Sequence, residues 1–393
     1  MAAVPAKGVA GAVWLAGDTV GFPGDSVPEP LAGALPLHPA KAARPGPRQG
    51  PAPAPGDRGA LTRADRDHRD PRGVLGRRTA CAAGGTGGAS GQRAGRDRAG
   101  RSAGGMQGLL LALLNRLAAD TACRVGGTLG VLAFHLGIRR RVGSEQPTSC
   151  LGLRGPARAR VLRRSYASMG AQFLQVWTIG GPDGPERQAR VLNPGWTALM
   201  ARRHPSAVFL TAHLGDWEMA AHAVTRYFSE VLVYAKAQHN PQMDEALNRR
   251  RAIAGLRVVL VSPRDRSGAV LALKALRRGA ALGIMADQRP GDGTAAWFLN
   301  RPAWCFDGPA FFARKAGVPI IPGYAIRERA GRSALFIGRP FLASGDHAAD
   351  VQRCMDAITA LVAAHPGQYF WQHRRFAGPQ PELPSRTIAD LSR

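Results

Sequence analysis

The segment FLTAHLGDWEMAAHAV, residues 209–224, decides how the chain is read. Its first half is a continuous apolar run of the kind that forms a buried strand, and its second half has helical spacing. The change falls between His213 and Asp216, so a strand ends at His213 and a helix begins near Asp216. Glu218 stands five residues after His213. In one continuous strand the two side chains would lie on opposite faces, and in one continuous helix they would diverge by about 140°. Only a turn between strand and helix returns the carboxylate to the imidazole. A His–carboxylate pair is what a general base needs: the carboxylate fixes the tautomer, and the other ring nitrogen takes a proton from a hydroxyl. Glu218 is therefore the first choice as partner of His213. Blander roles exist for the same residues. A histidine beside acids is often structural, and Asp216 reads equally as a helix N-cap. Glu218 and His222 have a spacing that can hold a metal, but HExxH is absent and no third ligand is apparent.

Outward from this segment the pattern repeats. AVFLTAH (207–213), VLVYAK (231–236), RVVLVS (257–262), AALGIMAD (280–287), VPIIPGYAIR (318–327) and ALFIG (334–338) read as strands. Helical patterns fall between most of them, at 240–255, 267–278 and 308–316. Continuous apolar strands separated by helices give the fold class as α/β, a mainly parallel sheet flanked by helices. Such sheets place ligands at the carboxyl ends of their strands, where both His213 and Asp287 fall. Asp287 is thus a rival to Glu218 for the imidazole. Upstream, Leu162, Tyr166, Met169, Phe173 and Val176 form the inner stripe of a helix over 158–179. GxSxG and GxxxxGK[ST] are absent, which removes the commonest hydrolase and NTPase readings.

Residues 1–105 have another character. Runs such as PGPRQGPAPAPGDRG contain little to build a core, and only Trp14 and Phe22 are aromatic there. The stretch reads as low-complexity tail or as sequence upstream of a true start at Met106. From Met106, MQGLLLALLNRLAAD and GGTLGVLAFHLGIRRRV read as a helical pair lying in or against a membrane over 106–141, with Arg139, Arg140 and Arg141 at anionic headgroups. The catalytic domain is expected over 142–380, with a tail at 381–393. The chain carries a net charge of +26. Residues 1–105 hold 15 Lys/Arg against 8 Asp/Glu, so most of the excess belongs to residues 106–393. That excess calls for an acidic partner. Nucleic acid is disfavoured, because the aromatics sit within apolar runs rather than among basic residues on an exposed face. The five cysteines form no CxxC pair and indicate neither a zinc site nor a disulfide framework.

Five ordered blocks carry a resemblance. HLGDWE fits the H-x4-[DE] motif of glycerolipid-type acyltransferases, and YAKAQHNPQMDEALNRRRAIAG looks like the Asn-Pro…Asp…Arg block of the bacterial lipid A late acyltransferase family. LKALRRGAALGIMADQRPGDG, DGPAFFARKAGVPIIPGYAIR and HPGQYFWQHRRF are similar to that family's later blocks, and the match runs from about Met106 to Phe376. The resemblance implies transfer of a fatty acyl group from an acyl carrier protein thioester to a hydroxyl of a phosphorylated glycolipid, at the cytoplasmic face of the inner membrane. It implies a glycerolipid-acyltransferase-like fold, His213 as base with Glu218 and Asp287, and Asn240, Asp244, Arg251 and Gln288 toward substrate. Arg251 is expected on an acceptor phosphate, which a guanidinium can hold with two bonds. No metal or organic cofactor is expected, because a thioester is already activated. A mannosylated phosphoinositide is the alternative acceptor. Two departures stand out: Leu299-Asn300 replaces a Gly-containing pair before Arg301, and Ala235-Lys236 replaces the usual Arg-Pro. Both are expected to touch substrate.

Overall fold

The computed structural model describes residues 112–237, 240–261 and 265–385. The expectations for residues 1–105, for the start of the membrane segment and for the last residues of the tail lie outside them. After a helical stretch at 112–116 come α1 (Ala119–His135), α2 (Arg140–Leu151), α3 (Gly155–Gln175), α4 (Gly184–Gln188), β1 (Ala189–Val191) and α5 (Pro194–Arg203). The decisive segment forms β2 (Ala207–Thr211) and α6 (Trp217–Val224). There follow β3 (Val231–Lys236), α7 (Pro241–Ile253), β4 (Leu256–Val261), α8 (Ser267–Arg277), β5 (Ala281–Met285), β6 (Thr294–Phe298) and β7 (Arg301–Cys305). The order closes with α9 (Gly308–Ala316), β8 (Ile320–Arg329), β9 (Arg332–Ile337) and α10 (His347–Ala364).

The main sheet has seven strands in the order β1-β9-β8-β2-β5-β3-β4. Every neighbouring pair is parallel except β8–β9, which is an antiparallel hairpin. Alternation along β2 shows why its sequence is apolar throughout. Val208, Leu210 and Ala212 pack into a core with α8, α9 and α10, while Ala207 and Phe209 pack into another with α6. A strand covered on both faces has no polar side to keep. Each large side chain buried this way contributes roughly 1.5–3 kcal/mol.

The N-terminal helices differ from expectation in extent. The Arg139–Arg141 cluster does not end a helical pair but opens α2, whose Pro147 and polar composition had hidden it. Arg139 itself adopts a left-handed backbone (φ 52°) at a 90° bend between α1 and α2. Among the described residues no single helix is long and apolar enough to cross a membrane. Helix α1 packs on α3 backbone to backbone: a Cβ at Gly126 would overlap the Gly170 carbonyl, and one at Gly130 the Tyr166 carbonyl. Its other side leaves Val125, Leu129, Leu132 and Leu136 exposed. On α3 the expected inner stripe is buried at Leu162, Tyr166 and Met169 and, just past its end, at Val176, but Phe173 is exposed.

Candidate active site

Strand register builds the centre of the site. Thr211 of β2 lies beside Met285 of β5, and two residues further on each strand stand His213 and Asp287. Both residues stand just past the strand ends, where the Leu214 N–H donates to the Ala212 carbonyl and turns the chain at His213. His213 Nδ1 lies 2.9 Å from Asp287 Oδ1, and the His213 backbone N–H donates to the same oxygen at 3.1 Å. Asp287 is buried. Burial by itself would push its carboxyl up, but the charge and hydrogen bonds of His213 outweigh it and hold the group below the usual carboxylate range. An ionised Asp287 fixes Nδ1 as the protonated nitrogen and leaves Nε2 with a free lone pair. The Gln288 amide donates to Nε2 at 3.2 Å. Trp217 meets the imidazole edge-on at 5.2 Å, and Phe370 lies at 6.3 Å.

Residues 368–370 lace this turn in place. The Gly215 N–H donates to the Gln368 carbonyl, the Phe370 N–H donates to the His213 carbonyl, and Leu214 bridges Tyr369. The Tyr369 hydroxyl is buried and feels the Asp287 charge; burial, then that charge, hold it well above its ordinary value, so it keeps its proton. Sequence reasoning missed Tyr369, although it stands in the quoted HPGQYFWQHRRF block. At Gly215 φ is 63° and a Cβ would overlap the Ala325 carbonyl, so this turn requires glycine.

Glu218 does not partner His213. Helix α6 carries it toward α7, where Oε1 accepts from Arg251 Nη2 at 2.6 Å and Oε2 from Nε at 3.1 Å. Both side chains are under 10 % exposed. Arg251 Nη1 donates to Asn248 Oδ1 at 3.3 Å, and Asn248 Nδ2 to Asp244 Oδ2 at 3.2 Å. With its fork closed on Glu218, Arg251 is not open to a phosphate in the two-bond manner expected of it. Asn240 caps α7, accepting from the Gln242 and Met243 N–H groups. The Asn-Pro…Asp…Arg block thus starts a helix and ends on the acid of the H-x4-E motif. His222 turns its Nδ1 to the Ala254 carbonyl. Among the described residues no group of His, Cys, Asp and Glu is placed to hold a metal.

Asp216 is the N-cap of α6 and also half of a fully buried ion pair with Arg327 Nη1 at 3.3 Å. Arg327 further donates to Gln172 and Gln175 of α3, and Ser333 donates to Asp216. The start of α6 is therefore tied to the N-terminal helices. Of the two departures from the family pattern, Leu299 and Asn300 form the left-handed turn of the β6–β7 hairpin (φ 50° and 60°). Leu299 is buried, and Asn300 Nδ2 donates to the Cys150 carbonyl, so this pair packs the hairpin rather than facing the site.

An apolar pocket lies over the sheet and under α6, and Trp217, which meets the His213 ring, is part of its lining. Phe209, Trp217, Val224, Val233, Met285 and Leu335 line it, Gly283 and Gly323 also line it, and Glu218–Arg251 form one polar wall. Ala235 of the second departure also lines it. A base with an oriented imidazole next to an apolar slot suits proton removal from a hydroxyl beside a long hydrocarbon. A family model described as bacterial lipid A biosynthesis acyltransferase matches residues 106–377. No curated protein matches the chain.

Proposed function

We propose that this chain, which belongs to the bacterial lipid A biosynthesis acyltransferase family, moves a fatty acyl group from an acyl carrier protein thioester to a hydroxyl of a phosphorylated lipid A precursor. The observation that carries the reading is the His213–Asp287 pair at the carboxyl ends of β2 and β5, with Trp217, which meets the His213 ring, lining the apolar pocket. His213 Nε2 takes the proton of the acceptor hydroxyl, whose oxygen attacks the thioester carbonyl carbon. The tetrahedral intermediate then collapses with loss of the carrier thiol, which recovers the proton from the imidazolium. Asp287 stabilises that imidazolium. The acyl chain lies in the pocket among Phe209, Trp217 and Val233. Its apolar walls favour hydrocarbon at roughly 25 cal/mol per Å² buried.

The acceptor is met at the cytoplasmic face of the inner membrane. The exposed stripe Val125, Leu129, Leu132 and Leu136, followed by exposed Ile138 and Arg139–Arg141, supports docking on an anionic bilayer. Apolar side chains enter the acyl boundary, and each arginine near the surface adds about 1 kcal/mol. The net charge of +26 also suits an acidic carrier protein. Lipid mass spectrometry of a host with and without the gene tests the reading. The expected result is a lipid A species heavier by one acyl group only when the gene and His213 are intact. An unchanged lipid profile would reject it. Leu129→Glu with Leu132→Glu should move the protein off vesicles rich in anionic lipid, measured by co-sedimentation.

A further inference from the structure

The protein has to stabilise the oxyanion that forms as a thioester carbonyl is attacked, and the amides around the base are mostly spent. The His213 N–H donates to Asp287, Leu214 to the Ala212 carbonyl, Gly215 to Gln368, Asp216 to Ala325 and Phe370 to His213. The turn that carries the base and Phe370 beside it therefore offer none of these five groups. One side-chain donor stands at the reacting nitrogen instead: Gln288 Nε2, 3.2 Å from His213 Nε2.

Resting on the reading of His213 as general base, we propose that Gln288 is a catalytic residue whose side-chain amide first caps His213 Nε2 and then donates to the thioester oxyanion. A hydroxyl that hands its proton to Nε2 must take the place that the amide holds. In a reactive pose its oxygen is about 3–3.5 Å from the carbonyl carbon. The displaced amide needs only a side-chain rotation to reach the oxygen on that carbon. Its backbone is meanwhile held by the preceding residue, Asp287, which is fixed by the His213 backbone N–H and ring. As the hydroxyl oxygen bonds to carbon, the carbonyl π pair moves to oxygen and is met by the Gln288 N–H. The pair returns when the C–S bond breaks and the thiolate takes the proton from His213. Preorganised donors of this kind are worth about 10²–10³ in turnover.

The test is steady-state transfer by the full-length wild type, Gln288→Ala, Gln288→Glu and His213→Ala, with acyl carrier protein thioester and lipid A precursor each varied to saturation. Gln288→Ala should lower kcat by about 10²-fold or more while KM for the thioester changes by less than about threefold. Gln288→Glu should be as slow, and its acid limb in kcat/KM should move to higher pH, because a carboxylate beside Nε2 favours the imidazolium. Gln288 is only half-buried, and thermal melts will confirm that the variants are folded. Near wild-type kcat in Gln288→Ala, or a loss confined to KM, overturns this inference while an inactive His213→Ala leaves the acyltransfer reading standing. No transfer by the wild type, or an unimpaired His213→Ala, overturns both.

Discussion

Asp287 and Glu218 are both buried carboxylates near one histidine, yet they stand in different parts of the architecture. Asp287 extends a strand, and its place opposite His213 is set by the parallel register of β2 with β5. Glu218 rides in the first turn of α6 and is carried away from the sheet edge onto α7, where Arg251 takes it. The first carboxylate holds the His213 ring and backbone N–H. The second closes a chain of side chains from Asp244 through Asn248 and Arg251 that fixes the pocket wall. Proximity along the chain favoured Glu218; lateral register across 74 residues favoured Asp287. For a pair at a sheet edge, register is the stronger guide.

The sharpest way to break this comparison is at turnover. His213→Ala should lower acyl transfer by about 10²–10⁴-fold, the range for a positioned base, and Asp287→Ala should fall in the same range. A folded Asp287→Ala protein with near wild-type turnover would remove the distinction between the two acids. Next in size is stability. Glu218→Ala leaves a buried guanidinium unpaired and should cost about 3–5 kcal/mol in denaturant titrations. Replacing both partners, as Glu218→Gln with Arg251→Met, should recover much of that loss, since no lone charge remains buried. If the double variant is folded but as slow as His213→Ala, Glu218 has a chemical role as well.

Tyr369→Phe sharpens the other side. Asp287 is held below the ordinary carboxylate range, so the stability it lends is present above that range and is lost as pH falls through its folded-state value. Removing the hydroxyl donor raises that value, so the acid-unfolding midpoint followed by circular dichroism should move to higher pH. An unchanged midpoint would mean that the hydroxyl contributes nothing to holding the charge. The smallest effect is expected at Asn248→Ala, about 1 kcal/mol in thermal melts, because it removes one hydrogen bond to Arg251 and one to Asp244.

Much of the sheet was legible because its strands are apolar without alternation. The expected VLVYAK strand coincides with β3, and the helix expected at 308–316 coincides with α9. What was not legible broke a local rule. The β6–β7 hairpin turns through Leu299-Asn300 where glycine is the usual signal, and Pro302 lies within β7. Helix α2 carries Pro147 and Gly143, and its polar face shows little periodicity. At the site, the edge position of His213 and Asp287 followed from strand ends alone. The direction of Glu218 and Arg251 did not, because one turn of helix separates facing the sheet edge from facing the next helix. Tyr369 escaped because a buried hydroxyl leaves no pattern in sequence.

The close packing of α1 on α3 has a consequence for how this chain can vary. Within α1, Gly126 and Gly130 touch backbone and admit no side chain, and Gly170 answers them from α3. Along its outer line and at its C-cap, Val125, Leu129, Leu132 and Leu136 are exposed, where a different apolar shape is tolerated. One helix should therefore keep two evolutionary clocks, nearly stopped on its inner line and fast on its outer one. Among natural variants, exchanges among Val, Leu, Ile and Phe should accumulate at the outer four positions long before a first alanine appears at Gly126 or Gly130.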